Sequence, residues 1–552
     1  MNRKRCGYRI LLALLLLAGQ LLSGCGAGIL SAGEDRQETV LLDGTEELLV
    51  AVNVDGTSPE LVFESVWTNR SKFWGTLLFR GLLMADENIN HVTTDLCEQC
   101  AVSPDGLSYV FTLQSDVLWH DGEPFTPQDV VWSVEACLKA QETNGYVRKG
   151  LQQIKGVRQF LEGKAASISG LEIKGQDLTI RLEEKNDSFL ACIAQLAILP
   201  KHCFKHIEAE NIYASDFWKM PVGTGPYRIV SNENNEAVFV LNENYTGKKP
   251  AIKQIRYKVV DAKAPEDFDF TLTSDPDTIS RYRKEADYEV IRTNNLYYRY
   301  LLFNLDCRTG ENEGILENKK VRQALMYGLD RRSMINNLYG GTALNMDCGI
   351  PEFDSWYVKK DDDAVGYRPA QARRMLEEAG FDFDKTLVLT GYDTDELSVR
   401  LLEEIAACWK VIGVKTEILL SNSYTTDKLF ADADWYDIAL KNLAAVNYSE
   451  WYYEYCGDNV LFSEIMGKHN GFDELLERLD DAKWAYEKNE LYREAQSLEN
   501  ELVYKIPLAV VPQYVIYRRT KLEIPEMKFP NMWYYYDLNL SQWKIISKNG
   551  TQ

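Results

Sequence analysis

Residues 103–133 contain, in order, Ser103-Pro104-Asp105-Gly106, then Tyr109-Val110-Phe111-Thr112-Leu113, then Trp119-His120-Asp121-Gly122-Glu123-Pro124-Phe125-Thr126-Pro127-Gln128-Asp129-Val130-Val131-Trp132-Ser133. The first four residues are a turn signal. Tyr109, Phe111 and Leu113 then alternate with Val110, Thr112 and Gln114, which is the period of a half-buried strand. Trp119-His120-Asp121-Gly122 couples a large apolar ring to a second tight turn, with His120 and Asp121 expected as structural hydrogen-bonding groups. Thr126 offers an N-cap and Pro127 a first helical position, so a helix is expected over Gln128–Lys139.

The same mixture continues outward. Leu48 to Val52, the alternating Leu178, Ile180 and Leu182 after the Gly175-Gln176-Asp177 turn, Ala237 to Leu241, and Ile255 to Val260 read as strands. The second half is richer in helix. Asn318 can cap a helix through Val321, Ala324, Leu325 and Leu329. Pro369 opens another, with Ala372, Met375, Leu376 and Ala379 on one face and Gly380 as its stop. Leu401–Ile412 and Phe472–Val503 are further helical stretches. The fold class is therefore mixed α/β without strict βαβ alternation, and no internal repeat is visible.

The N-terminus reads as a targeting segment. Arg3, Lys4, Arg5 and Arg9 precede an apolar run from Ile10 to Leu22, shorter than the roughly 20 residues that span a bilayer and suited to a signal-peptide core. It ends in Leu22-Ser23-Gly24-Cys25, small residues before a cysteine whose thiol can take a lipid. Residues 26–43 are rich in Gly, Ser, Ala and acidic groups and read as a flexible tether. No later stretch is apolar enough to span a membrane.

The chain has 552 residues, 45% hydrophobic and 26% charged, with a formal net charge of −22. That length suggests about three or four units. The acidic balance argues against nucleic acid and against docking on anionic lipid. Eleven cysteines, spread thinly, form no disulfide framework. Cys97-Glu98-Gln99-Cys100 is a lone CxxC, read as structural, with a local disulfide as the second reading.

Catalytic patterns are missing. There is no G-x-S-x-G elbow and no Walker-type loop. Gly223-Thr224-Gly225-Pro226 leads into a strand-like Tyr227-Arg228-Ile229-Val230 and reads as a tight crossing. His202 and His206 share i, i+4 spacing but lack the Glu of a zinc protease helix. Asp361 to Asp363 reads as a solvated loop, a calcium site being the rarer reading. No cofactor and no metal are expected, and the chain is not expected to be an enzyme.

The motifs at 103–133 resemble the family 5 extracellular solute-binding proteins, the oligopeptide-, dipeptide- and nickel-binding components of ABC importers. The resemblance runs along most of the chain after Cys25. It includes Phe79-Arg80-Gly81-Leu82 (with Arg80 where the family has Glu), Leu199-Pro200-Lys201-His202, and Pro221-Val222-Gly223-Thr224-Gly225-Pro226-Tyr227. It continues through Phe303-Asn304, Val321-Arg322-Gln323-Ala324-Leu325, Leu329-Asp330-Arg331, Ala379-Gly380 and Ile506-Pro507-Leu508. Arg322 and Asp330 are expected on helix surfaces or in buried ion pairs.

The resemblance implies a two-lobed periplasmic-binding-protein-like fold (class II, cluster C type), with an additional domain on the first lobe and a ligand cleft between lobes. The organisation it implies is a lipoprotein signal peptide over 1–24 and a tether over 25–44. Lobe I takes 45–75, 220–295 and 512–552, the extra domain 76–219, and lobe II 296–511. It also implies an extracytoplasmic monomer, held to the cell membrane by lipid on Cys25, that delivers a peptide or other small solute to an ABC permease and ATPase. A receptor for a signalling peptide and a binder of a nickel chelate or haem are the alternatives.

One departure bears on the ligand. Many peptide binders of the family hold the ligand's α-amino group with acidic residues in a W-x-x-D-Y-x-D-P segment after a Y-D strand. Tyr436-Asp437-Ile438-Ala439-Leu440 matches that strand, but Ala444-Ala445-Val446-Asn447-Tyr448-Ser449-Glu450-Trp451 does not keep the acids or the proline. Either Glu450 substitutes in a shifted register or the ligand is not an ordinary peptide. The resemblance places candidate ligand contacts at Asn304, Asn447, Tyr448, Glu450, Trp451 and Tyr452. The aromatic run is either core packing or a cleft wall for an apolar or cationic ligand surface; a cleft wall predicts that Trp451→Ala weakens binding with little loss of apo stability.

Overall fold

The computed structural model describes residues 46–546 apart from 53–59, 69–72, 87–90, 141–142, 262–266, 294–296, 306–311, 313, 360–365, 422–434, 445–447, 457–470, 483 and 526–538, and describes 449 and 450 in backbone only. Cys25 with its signal and tether segments, Asp361–Asp363 and Asn447 lie outside the described residues.

Ser108–Leu113 is a strand in which Tyr109, Phe111 and Leu113 are buried and the alternate residues half-buried. It lies inside an antiparallel four-stranded sheet, in the order Cys97–Val102, Ser108–Leu113, Asp177–Arg181, Leu171–Lys174. The helix Pro127–Lys139 begins where expected. The Asp129 carboxylate accepts both the Thr126 N–H and its hydroxyl at 2.8 Å, so the first turn is closed by its own third residue. Asp129 also accepts the Lys201 N–H at 3.1 Å.

The tight turn at Trp119–Gly122 meets the Gly223–Pro226 crossing. His120 Nδ1 accepts the Gly223 N–H at 3.0 Å, the Gly223 carbonyl accepts the His120 N–H at 2.9 Å, and His120 Nε2 faces the Gly225 carbonyl at 3.3 Å. Burial holds the imidazole at about 4, so it is neutral there. A Cβ at Gly223 would stand 1.8 Å from the Leu78 carbonyl oxygen, and one at Gly225 2.4 Å from that of Leu77. Only glycine lets the two backbones approach this closely.

Two larger sheets carry the rest. One has seven strands in the order Tyr288–Arg292, Tyr514–Arg518, Phe270–Thr273, Glu47–Val52, Gln254–Val259, Glu236–Leu241, Tyr227–Glu233. The other has six, in the order Leu344–Asn345, Lys505–Val510, Tyr297–Phe303, Ile438–Ala444, Thr386–Gly391, Lys415–Leu420. Both mix parallel and antiparallel pairs, and helices pack on them, so the class is mixed α/β. The chain passes between the sheets twice, from Arg292 to Tyr297 and from Val510 to Tyr514. The two crossings bond to each other. The Gln513 carbonyl accepts both the N–H and the hydroxyl of Thr293 at 2.9 Å, and the Tyr297 carbonyl accepts the Val511 N–H at 2.9 Å.

The seven-stranded sheet and the four-stranded unit share one continuous core, from Leu48 through Phe111, Trp119 and Trp218 to Trp543. The six-stranded sheet is covered on both faces. Leu301 and Phe303 join a helical core with Leu325, Leu401 and Trp409, while Tyr298, Tyr300 and Leu302 join an aromatic one with Trp451, Tyr455 and Phe472. A strand buried on both faces reads as a continuous apolar run, as Tyr297–Phe303 does.

Two expectations are corrected. Phe472–Val503 is two helices, Phe472–Asp481 and Ala485–Leu502. Ala482 and Trp484 are extended, and the Glu487 carboxylate caps the second helix by accepting the Trp484 N–H at 3.1 Å. Arg322 is buried, but its guanidinium donates to the carbonyls of Leu316, Glu317, Leu502 and Val503 at 2.7–3.0 Å. It neutralises a helix C-terminus instead of a carboxylate. Asp330 accepts the Ser333 N–H at 3.1 Å, as an N-cap.

Candidate functional site

In an open α/β sheet, ligands bind beyond the carboxyl ends of the parallel strands, where helix and loop starts converge. Registers locate those ends. In the seven-stranded sheet Val52 pairs with Val259, and Thr273 and Arg292 both pair with Tyr514. In the six-stranded sheet Gly391 pairs with Leu420 and Leu440, and Ala444 with Tyr297. Arg292, Tyr514 and Tyr297 belong to the crossings. Both sheets therefore turn their carboxyl ends toward the crossings, and the space between those ends is the candidate site.

At the six-stranded end the turn after Gly391 is pinned to the neighbouring strand. The Tyr392 hydroxyl accepts the Asn442 N–H at 3.0 Å and donates to the Asn442 carbonyl at 3.1 Å. The Asn442 side-chain amide donates to Asp393, and the Arg299 guanidinium stands 3.8 Å from the same carboxylate. Arg299 itself is buried, donating to the Tyr339 and Ser398 hydroxyls at 2.6 and 2.7 Å. Burial raises the Asp393 carboxyl, with Arg299 opposing. Asp393 remains a third exposed, a polar group at the mouth on a braced turn.

The segment after Ala444 is anchored from beneath. Glu454 is buried between Lys441 and Lys505, each donating at 2.6 Å, and the Tyr300 hydroxyl donates to it as well. Burial alone would raise this carboxyl; the two ammonium groups outweigh that and hold it well below the usual range. Lys505 also donates to the Trp451 carbonyl at 3.0 Å and lies over the Tyr300 and Tyr455 rings at 4.6 and 4.4 Å.

The expected contact residues divide. Tyr448, Trp451 and Tyr452 come together, but as core: they are 5%, 1% and 0% exposed. Tyr448 donates to Asp354 at 2.8 Å, Trp451 packs on Tyr298 at 4.8 Å, and Tyr452 stacks on Phe472 at 5.6 Å. No ring of the three forms an open wall here: Trp451 is covered by Tyr298 of the strand beneath, Tyr452 by Phe472, and Tyr448 by Trp356 and Tyr492. Asn304 is elsewhere. It follows Phe303, at the end of the sheet remote from the crossings, and its amide donates to the Tyr436 carbonyl at 2.8 Å. Asn447 and the Glu450 side chain are outside the described residues.

Residues 91–457 match the family described as bacterial extracellular solute-binding proteins, family 5 Middle. The chain belongs to that family. Among its relatives, a putative ABC transporter peptide-binding protein of Brucella ovis is 26% identical over 354 residues, 62% of each chain; the match thus spans less than two thirds of that protein. Haem-binding protein A of Haemophilus influenzae is 25% identical over 82% of this chain and 85% of its own. The oligopeptide-binding protein AppA of Bacillus subtilis, solved with a nonapeptide, is 19% identical, with a TM-score of 0.71 over 91% of this chain and 99% of its own. At that identity the likeness is one of fold, two-lobed as the two sheets are.

Two features of this family member escaped the motif reading. Lys149, on the helix Gly145–Gln152, lies over the Tyr453 ring at 4.6 Å. It joins the outer four-stranded unit to the helix Tyr448–Tyr453 of the other lobe, and it is the largest charge opposing the burial that raises the Asp480 carboxyl. No local pattern marks such a pair. The Tyr392-Asp393 turn had a legible cue, a strand followed four residues on by Asp395 as an N-cap that accepts the Ser398 N–H at 3.0 Å.

Proposed function

We propose that the protein is the extracytoplasmic binding component of an ABC importer, closing its two lobes on a peptide or similar small solute and passing it to a permease and its ATPase. The observation that carries this reading is a family 5 chain with the carboxyl ends of both sheets turned toward a double crossing. Such a crossing is a hinge, and a ligand between two faces acts as the glue of the closed form. Lys149 over Tyr453 is a direct contact between the lobes that would help hold them together around a ligand. Extended peptides suit the mouth because main-chain groups can be met by polar ends of strands regardless of side chain. Asp393, on its braced turn, is our candidate polar contact in place of the acids absent from 446–451.

The protein acts as a monomer, tethered through a lipid on Cys25, which keeps it near its permease and raises the effective concentration there. Among the described residues no helix is long and apolar enough to cross a membrane. Cys25→Ser should release the protein from the membrane fraction. The deciding experiment is native mass spectrometry of the purified protein followed by release of its cargo. A ladder of peptides is expected; haem, a metal chelate or a sugar would replace the reading. Haem has the support of the relationship to haem-binding protein A. A signalling-peptide receptor would release one defined peptide and show no uptake defect on deletion.

A further inference from the structure

The turn Trp119–Gly122 and the short helix Lys201–Phe204 bring three different donors together. One ligand atom each from Asp121, His202 and Cys203 lies within 4.8 Å of the others. His202 Nε2 is 2.8 Å from Asp121 Oδ2, with the two side chains 27% and 34% exposed. Cys203 is a half-buried free thiol beside them. Both supporting segments are pinned. The Asp121 carboxylate accepts the Glu123 N–H at 3.2 Å, the Lys201 N–H is held by Asp129 at 3.1 Å, and the Cys203 N–H donates to the Pro200 carbonyl at 3.0 Å. The Trp119 ring stands edge-on to His202 at 6.2 Å. The donors are thus preset rather than gathered from mobile loops.

We propose that Asp121, His202 and Cys203 form a surface site for a borderline divalent transition metal such as zinc, separate from the mouth between the lobes. A carboxylate, an imidazole and a thiolate are the mixed hard, intermediate and soft donors such ions accept, and three protein ligands leave one tetrahedral position for water. The site is reachable from solvent, since the His202 and Asp121 side chains are 27% and 34% exposed. Binding displaces one proton to solvent from the Cys203 thiol, and the His202 ring proton, which Nε2 donates to Asp121 in the metal-free form, moves to Nδ1 so that Nε2 can ligate. Because the thiol must give up its proton to ligate, uptake strengthens as pH rises. His206 takes no part: Lys201–Phe204 is a 3-10 helix, and the i, i+4 pairing with His202 is lost with the α-helical turn.

The test is titration of the reduced, metal-stripped protein with cobalt(II), a spectroscopic stand-in for zinc. A thiolate-to-cobalt charge-transfer band is expected, with tetrahedral visible bands. Cys203→Ser should abolish the charge-transfer band, and Asp121→Asn, which keeps a hydrogen bond to His202, should weaken binding by about tenfold or more, since even outer partners of a metal cost that much. The circular dichroism of each variant should match the parent, and zinc should displace the cobalt. The absence of any band, or a band unchanged in Cys203→Ser, overturns the proposal and leaves Asp121 and His202 as a hydrogen-bonded pair that joins two segments.

Discussion

The core between the seven-stranded sheet and the outer unit and the core beneath Tyr448–Cys456 are both closed to water, yet they are built from different chemistry. In the first, Phe63, Trp74, Phe79, Trp218 and Phe239 pack ring on ring, with neighbouring centroids at 4.8–6.4 Å. In the second most rings are tyrosines, and their hydroxyls serve carboxylates: Tyr300 on Glu454, Tyr455 on Glu499 at 3.2 Å, Tyr448 on Asp354. Apolar packing is non-directional and tolerates small shifts. A buried carboxylate between two lysines tolerates few, because each partner left unpaired carries its full desolvation cost. The polar core lies directly under the segment that leaves the mouth, where one geometry must be specified.

The largest effect is expected from unpairing Glu454. Glu454→Leu strands Lys441 and Lys505 and should cost about 3–5 kcal/mol, visible as a lower denaturant midpoint. Adding Lys441→Met and Lys505→Met should recover most of that loss. Failure to recover would mean the cluster contributes packing rather than charge balance. Trp451→Ala, in the same core, should also cost about 3–5 kcal/mol. This reverses the cleft-wall expectation, and near-parental apo stability would restore it.

The apolar side has its own weak point in the crossing. Gly225→Ala forces a Cβ against the Leu77 and Leu78 carbonyls and should cost about 1–3 kcal/mol by overpacking, detected by a lower melting temperature.

Acid should separate the two regions in order. His120 has a folded value of about 4 against an ordinary 6.5. Its unfolded form binds the proton first, so its contribution is full above 6.5 and fades as pH falls toward 4. Glu454 is depressed from 4.5 to about 2, so its contribution is full above 4.5 and fades below that. Hydrogen exchange should therefore loosen at 223–227 before 441–456 as pH is lowered, and His120→Gln should flatten the upper window. Loss in the opposite order would contradict the assignment. The smallest effect is expected from Lys149→Ala. A cation over a half-buried ring near the surface is worth about 0.5–1 kcal/mol, so ligand affinity should fall about two- to fivefold by calorimetry, with apo stability unchanged.

Residues 103–133 made the fold legible because turn, strand and cap are local events, each set by side chains within a few positions. Tyr109-Phe111-Leu113 and Thr126-Pro127-Asp129 need no distant partner to declare a strand and a helix start. The family motifs were legible for a related reason: Gly223 and Gly225 are demanded by one close backbone approach. The candidate site was far less so. The aromatic run at 448–455 is equally compatible with a wall and a core, and burial is decided by what covers a ring. Here that cover comes from Tyr298 and Phe472.

Pairs distant in the chain were beyond any local pattern. Lys149 meets Tyr453, Glu454 meets Lys505, and Asp121 meets His202 beside Cys203 only when the chain is folded. The sequence by itself determined the elements, the mixed α/β class, the glycine crossing and the family, because those follow from periodicity, capping and steric limits along the backbone. The tertiary structure alone decided which charges are buried together and which ring faces are covered. Electrostatic and packing energies depend on distance and burial in space, and the order of residues along the chain does not encode either directly.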